Sequence, residues 1–112
     1  MIVLDDNLNE KRVRQPVALW AKGAVAYLRE LRPGVVIKDE AVPALLVQRR
    51  NPTFITTNVQ DFWGKIAAHK RYCIICVPLP NNRQLEIPAL LARLFRQRVR
   101  YYEVKSNSGK LR

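Results

Sequence analysis

Asp5, Asp6, Asp39, Glu40 and Asp61 are five of only nine acidic residues in a chain that carries twenty Lys and Arg. All five fall where a predicted strand ends or a predicted helix begins. In an open α/β sheet, ligands sit outside the carboxyl ends of the strands. Carboxylates gathered there repel one another unless a cation neutralises them. An oxygen-only donor set suits Mg²⁺ or Mn²⁺, which also hold waters and phosphate oxygens. Such ions activate water and stabilise the leaving oxygen in phosphodiester cleavage. The stretch Phe54-Ile55-Thr56-Thr57-Asn58-Val59-Gln60-Asp61-Phe62 adds short oxygen-bearing side chains where a buried strand runs out. A second reading stands beside this one: Asp39 and Asp61 also suit helix N-caps, each worth ~1 kcal/mol.

The formal net charge is +11, which favours a polyanionic partner such as RNA, DNA or an acidic protein. Lys11, Arg12 and Arg14 form one basic cluster, Arg49 and Arg50 another, and Lys70 and Arg71 a third. Arg93, Arg96, Arg98 and Arg100 recur along the last third. Trp20, Trp63, Tyr101 and Tyr102 have the chemistry to stack on unpaired bases, although a core position is the favoured reading for both tryptophans.

Other chemistries are poorly served. Cys73 and Cys76 are three apart on a strand-like run, so they point to opposite faces and are poorly set to share a metal or a disulfide. His69 is the single histidine and sits at a predicted helix end beside two cations, a favourable place for a positive charge. No glycine-rich phosphate loop and no nucleophile elbow is present. The amino terminus lacks a signal pattern and no apolar run approaches ~18 residues, so a cytoplasmic protein with no membrane contact is expected.

The elements that must position the acids follow from periodicity. Met1 to Leu4 reads as a buried first strand ending in Asp5-Asp6-Asn7, and alternation sends Asp5 and Asp6 to opposite sides. Trp20, Ala24, Tyr27, Leu28 and Leu31 recur at helical spacing, predicting a helix over 16–31 that Pro33-Gly34 stops. Val35-Val36-Ile37 is a β-branched run and the predicted second strand. A helix over 41–50 follows, with Pro43 in its first turn. Strand three covers 53–56, a helix 62–69, and strand four 73–77. Ile87, Leu90, Leu91, Leu94 and Phe95 give the clearest amphipathic helix. A fifth strand is predicted over 99–104. One domain over 1–105 and a loose basic tail over 106–112 result. Strand–helix alternation predicts right-handed βαβ units, hence a three-layer α/β/α sandwich with a mostly parallel sheet of four or five strands.

Three short motifs, in this order, make the chain resemble the PIN-like nuclease superfamily, in its short bacterial branch. Val3-Leu4-Asp5-Asp6-Asn7-Leu8 is similar to an opening Leu-Leu-Asp-Glu-Asn-Leu motif. Asp39 in Lys38-Asp39-Glu40-Ala41 matches an Asp that opens the helix after strand two. Thr57-Asn58-Val59-Gln60-Asp61-Phe62 is similar to a Thr-x-Asp-x-Asp-Phe motif, with Val59 standing where the first Asp falls. The resemblance covers roughly the first 80 residues. It implies an α/β/α sandwich and a Mg²⁺- or Mn²⁺-dependent ribonuclease, in many relatives a toxin silenced by an antitoxin. Asp5, Asp39 and Asp61 would be catalytic metal ligands, supported by Asp6, Glu40, Thr57 and Asn58. Lys11, Arg12, Arg14, Arg49 and Arg50 would hold RNA, single-stranded RNA included. An acidic antitoxin and a homodimer are the further implied partners. The alternative is a PIN-like module without catalysis that binds nucleic acid or an acidic protein.

Overall fold

The computed structural model describes residues 1–58, 71–96 and 110–111, the side chains of Asp39, Lys110 and Leu111 excepted. Within them, β1 (Ile2–Leu4), β2 (Val25–Tyr27), β3 (Thr53–Thr56), β4 (Cys73–Cys76) and the two-residue β5 (Lys110–Leu111) form one sheet. Its order is β2-β1-β3-β4-β5 and every described pairing is parallel. Val3 lies opposite Ala26 on one side and Phe54 on the other, so β1 is flanked on both edges.

Strand alternation divides the core. Leu4, Ile55 and Ile75 point to one face, where they meet Val13 and Val17 with Ile87 and Leu91. Val17 lies on α1 (Gln15–Trp20), and Ile87 and Leu91 on α3 (Ile87–Arg96). Val3, Phe54 and Ile74 point to the other face and meet Val42, Leu45 and Leu46 of α2 (Val42–Val47). Helices therefore cover both faces of a parallel sheet, as near-continuous apolar strands require. Cys73 and Cys76 fall into opposite clusters, as their spacing predicts, and both are buried outside any disulfide.

The first half departs from the expected periodicity in three places. Helical structure starts at Glu10, not Pro16, and is capped by Asn9, whose Oδ1 accepts from the Arg12 amide at 2.9 Å. The segment Glu10–Arg14 is a π-helical turn, with the Asn9 carbonyl accepting from both Val13 (2.9 Å) and Arg14 (3.2 Å). Pro16 explains the widening. It has no N–H to donate, and its ring would strike the carbonyl four residues back in a tighter helix.

The helix also ends at Trp20 rather than Leu31. Ala21 turns extended (ψ 137), and Val25–Tyr27 becomes β2. The expected second strand, Val35-Val36-Ile37, is loop instead, with Val35 54% and Val36 88% exposed. Gly34 at φ 80 turns the chain there, and the slot beside β1 is already filled by β2. Farther on, Asn51 ends the α2 connection in the left-handed region (φ 47), a conformation asparagine tolerates well.

The predicted helix over 62–69 and strand over 99–104 lie outside the described residues. The tail expected to be loose supplies β5, where Lys110 and Leu111 pair with Ile74 and Ile75. Among the described residues no helix is long and apolar enough to cross a membrane.

The outer edge of β2 is blunted locally. The Tyr27 amide donates to Glu30 Oε1 at 2.8 Å, and Arg14 reaches the same carboxylate at 2.9 Å. The Tyr27 N–H, then Arg14, hold Glu30 below its ordinary carboxylate range. A carboxylate with a depressed folded pKa stabilises above its unfolded pKa, and that stability is lost as pH falls through the folded value. Glu30→Gln is therefore expected to flatten the acid limb of the stability profile below about pH 4.5. Because Glu30 is well exposed, the difference from the parent should stay within ~1 kcal/mol at neutral pH. Urea denaturation at stepped pH measures it. An acid limb identical in the two proteins would refute the assignment.

Candidate functional site at the carboxyl ends of β1 and β3

Asp5 leaves β1 with its amide bonded to the Ile55 carbonyl (2.9 Å), so it sits at the end of the ladder with β3. Its two carboxylate oxygens have different partners. Oδ2 accepts from the Thr56 hydroxyl at 2.6 Å, and Oδ1 accepts from the Asp6 amide at 2.8 Å. Thr56 is fully buried, and its Oγ1 also accepts from the Asn58 amide at 3.0 Å. That incoming N–H occupies an acceptor site on the hydroxyl, so the hydroxyl proton can point at Asp5. The carboxylate is fixed by the fold before any ligand arrives.

Asp6 already lies in the turn after β1 and faces the segment that follows β2. Its Oδ1 accepts from the Arg29 amide at 3.0 Å and from the Arg29 guanidinium at 3.4 Å. Asn7 Nδ2 donates to Thr57 Oγ1 at 3.0 Å, tying the turn after β1 to the turn after β3. Thr57 and Asn58 thus lie at the same edge as Asp5, but Thr56 is the residue whose hydroxyl fixes it.

The turn after β1 is held from the far end of the chain by Gln84. This side chain is buried in the 3-10 turn Asn81–Glu86. Its Oε1 accepts from the Asn9 amide (2.8 Å) and its Nε2 donates to the Asn7 carbonyl (3.1 Å). Tyr27 adds a buried O–H bond to the Leu8 carbonyl at 2.7 Å, and burial pushes its phenol up from its ordinary value. Nothing in the local sequence marks Gln84, which reads as one polar residue of a loop. Its Asn7 and Asn9 partners lie more than seventy positions away, and only the folded register brings them together.

No protein-family model, curated protein or solved structure matches this chain.

Asp5, Asp6, Thr57 and Asn58 come together at one edge. Glu40 is exposed at the 3-10 turn Asp39–Ala41, reached through the loop over 32–38 and not directly from a strand end. The N-cap position of α2 is Ala41, which makes no side-chain cap bond. Asp61 and Val59 lie outside the described residues. Among the described residues no group of three or more His, Cys, Asp or Glu is placed to hold a metal. The basic residues divide. Lys11 and Arg12 are exposed on the turn that follows Asn9, and Arg12 lines a groove together with Asp6 and Asn7. Arg14 pairs with Glu30 and lies over the Tyr27 ring, its Cζ 5.2 Å from the ring centroid. Arg49 and Arg50 precede β3, and so belong to the amino edge of the sheet, opposite Asp5. Trp20 is a packing residue. Its ring centre lies 5.5 Å from that of Phe95, joining α1 to α3.

Proposed function

We propose that the carboxyl edge of β1 and β3 is the catalytic edge of a divalent-metal-dependent ribonuclease of PIN-like type. The observation that supports this most is the Asp5 carboxylate, held by Thr56 and Asp6 at the mouth of adjacent parallel strands. Building a charged group into that position, with a buried hydroxyl aimed at it, serves no evident packing purpose. Its chemistry fits a hard cation, because the side chains gathered at this edge, Asp6, Thr57 and Asn58 among them, offer oxygen rather than sulfur or imidazole.

Asp5 would hold Mg²⁺ or Mn²⁺, joined by Asp39 and Asp61 as the resemblance assigns. When bound, the cation supplies an activated water and neutralises charge at the scissile phosphate. The chain's own residues do the rest. Thr56 fixes one carboxylate oxygen, so Asp5 is already oriented before binding. Asn7 and Thr57 keep the two strand-end turns in register. Lys11 and Arg12 attract the phosphate backbone toward this edge.

The test is cleavage of single-stranded and structured RNA by the full chain in Mg²⁺, Mn²⁺ or EDTA. Cleavage is expected with a metal, lost on chelation and restored when Mn²⁺ is added back. Absence of cleavage in every metal, with salt-sensitive RNA binding intact, would favour a binding module without catalysis.

A further inference from the structure

An open groove of about 450 Å³ lies beside the catalytic edge, and Asp6, Tyr27, Arg29, Asn9 and Asn81 are among the residues that line it. We infer that this groove is a nucleotide subsite, in which a planar base stacks on the Arg29 guanidinium. The inference rests on the nuclease reading above only for its role, since it places one nucleotide of a strand next to Asp5.

The argument starts with Arg29. Its Cζ lies 4.0 Å from the centroid of the Tyr27 ring. Tyr27 is 1% exposed and anchored through its hydroxyl to Leu8. The Asp6 carboxylate accepts from both the amide and the guanidinium of Arg29. The guanidinium is thus held from below and from one edge, yet 56% of the side chain stays exposed. A surface arginine normally loses rotamer freedom when it binds. Here much of that ordering is complete in the folded chain. An ordered guanidinium plane with an open face is a known platform for an unstacked base.

The amides around it supply the complement of a base edge. Asn9 Oδ1 is taken by the Arg12 amide and Asn81 Oδ1 by Gln84 Nε2. Both side chains therefore retain NH₂ donors. Asn7 Nδ2 is taken by Thr57, which leaves its side-chain oxygen as an acceptor. Donors and an acceptor around a flat cationic surface suit a heteroaromatic base better than a bare anion. Of the groove acids, Asp6 is paired with Arg29, and Glu10 lies 3.7 Å from Arg14, whose nearer partner is Glu30 at 2.9 Å. Arg12 has no acidic partner among the described residues. It is the group placed to meet the phosphate attached to such a base.

The volume matches a single nucleotide, being within the range of small-ligand sites. A free nucleotide and a nucleotide within a strand share this chemistry, and affinity distinguishes them. Binding is measured by amide and side-chain NMR titration of the full chain in EDTA, so that cleavage plays no part. The probes are adenosine, adenosine 5′-monophosphate, inorganic phosphate and a short single-stranded RNA. Adenosine and its monophosphate are expected to shift the Arg29 and Asn81 side-chain resonances. Arg29→Lys keeps the charge and the backbone-amide bond to Asp6 but removes the plane. It should weaken adenosine monophosphate by about 5- to 150-fold, the range of one lost base stack, and leave inorganic phosphate within about twofold. Asn81→Ala provides a second variant outside the Arg29–Asp6 pair and should weaken the same probe. Tighter binding of the RNA than of the monophosphate assigns the site to a strand, and the reverse assigns it to a free nucleotide. Equal affinity in parent and Arg29→Lys, or phosphate binding as well as the monophosphate, overturns the subsite. Groove shifts without any RNA cleavage in Mn²⁺ would instead overturn the nuclease reading alone.

Discussion

On the proposed nuclease reading, Asp5→Asn is expected to lower metal-dependent RNA cleavage by at least about a hundredfold, since a metal site contributes several kcal/mol at the transition state and each ~1.36 kcal/mol is tenfold. The fold should survive the change. The substituted side chain keeps one oxygen to accept from the Asp6 amide. Its NH₂ would face the Thr56 hydroxyl, which already accepts from Asn58 and has a second lone pair to offer. The hydroxyl proton alone loses its partner. The cost to stability is then about that of one imperfect hydrogen bond, ~1–2 kcal/mol. Activity and stability are thus predicted to separate, and the separation is informative. Cleavage rates at saturating Mn²⁺ and a urea melt on the same preparation decide it. A variant that cleaves as fast as the parent would remove Asp5 from the chemistry. A variant that loses both together would make Asp5 a folding residue.

How far the sequence led depends on which forces were at work. Short apolar runs that the sheet buries on both faces were readable: β1, β3 and β4 stand where Val3-Leu4, Phe54-Ile55 and Ile74-Ile75 put them. The amphipathic helix over Ile87–Arg96 was equally legible, because its apolar spacing matches one helical face. β2 was not. Tyr27, Leu28 and Leu31 have helical spacing, and three-residue strands are too short for alternation to compete with it. What decides for a strand is tertiary: Ala26 finds Val3, and the Tyr27 hydroxyl finds Leu8. Val35-Val36-Ile37 failed for the opposite reason, having β propensity but no strand edge to join. The site follows the same division. The placement of Asp5, Thr57 and Asn58 at one edge was legible because each follows a strand, and in a parallel sheet the strand ends lie side by side. The Thr56 bond, the Gln84 clamp and the Tyr27–Arg29 stack were not, since each depends on the folded register.

Phe54→Ala should cost about 3–5 kcal/mol of stability, the usual range for emptying a buried aromatic position. A domain of this kind has roughly 5–15 kcal/mol in total, so the loss takes at least about a fifth of the margin and, for a marginal domain, most of it. Phe54 is fully buried on β3 and stands in register between Val3 of β1 and Ile74 of β4. Its ring fills the layer between the sheet and α2, where Leu46 and Val42 are also fully buried. Strand neighbours on both sides limit how far the backbone can collapse into the cavity. Leu19→Ala is the control, because Leu19 is 89% exposed and should change stability by no more than about 0.5 kcal/mol. Urea midpoints for the two variants give the comparison, and a Phe54→Ala loss below about 1 kcal/mol would mean that this layer is not packed as described. The consequence reaches the site, for β3 also carries Thr56 and so the hydroxyl that fixes Asp5. One face of the strand holds Phe54 in the sheet core, and its last residue orients the carboxylate. Weakening the first should therefore degrade the second: on the proposed nuclease reading, Phe54→Ala is expected to lose cleavage at temperatures well below those that inactivate the parent.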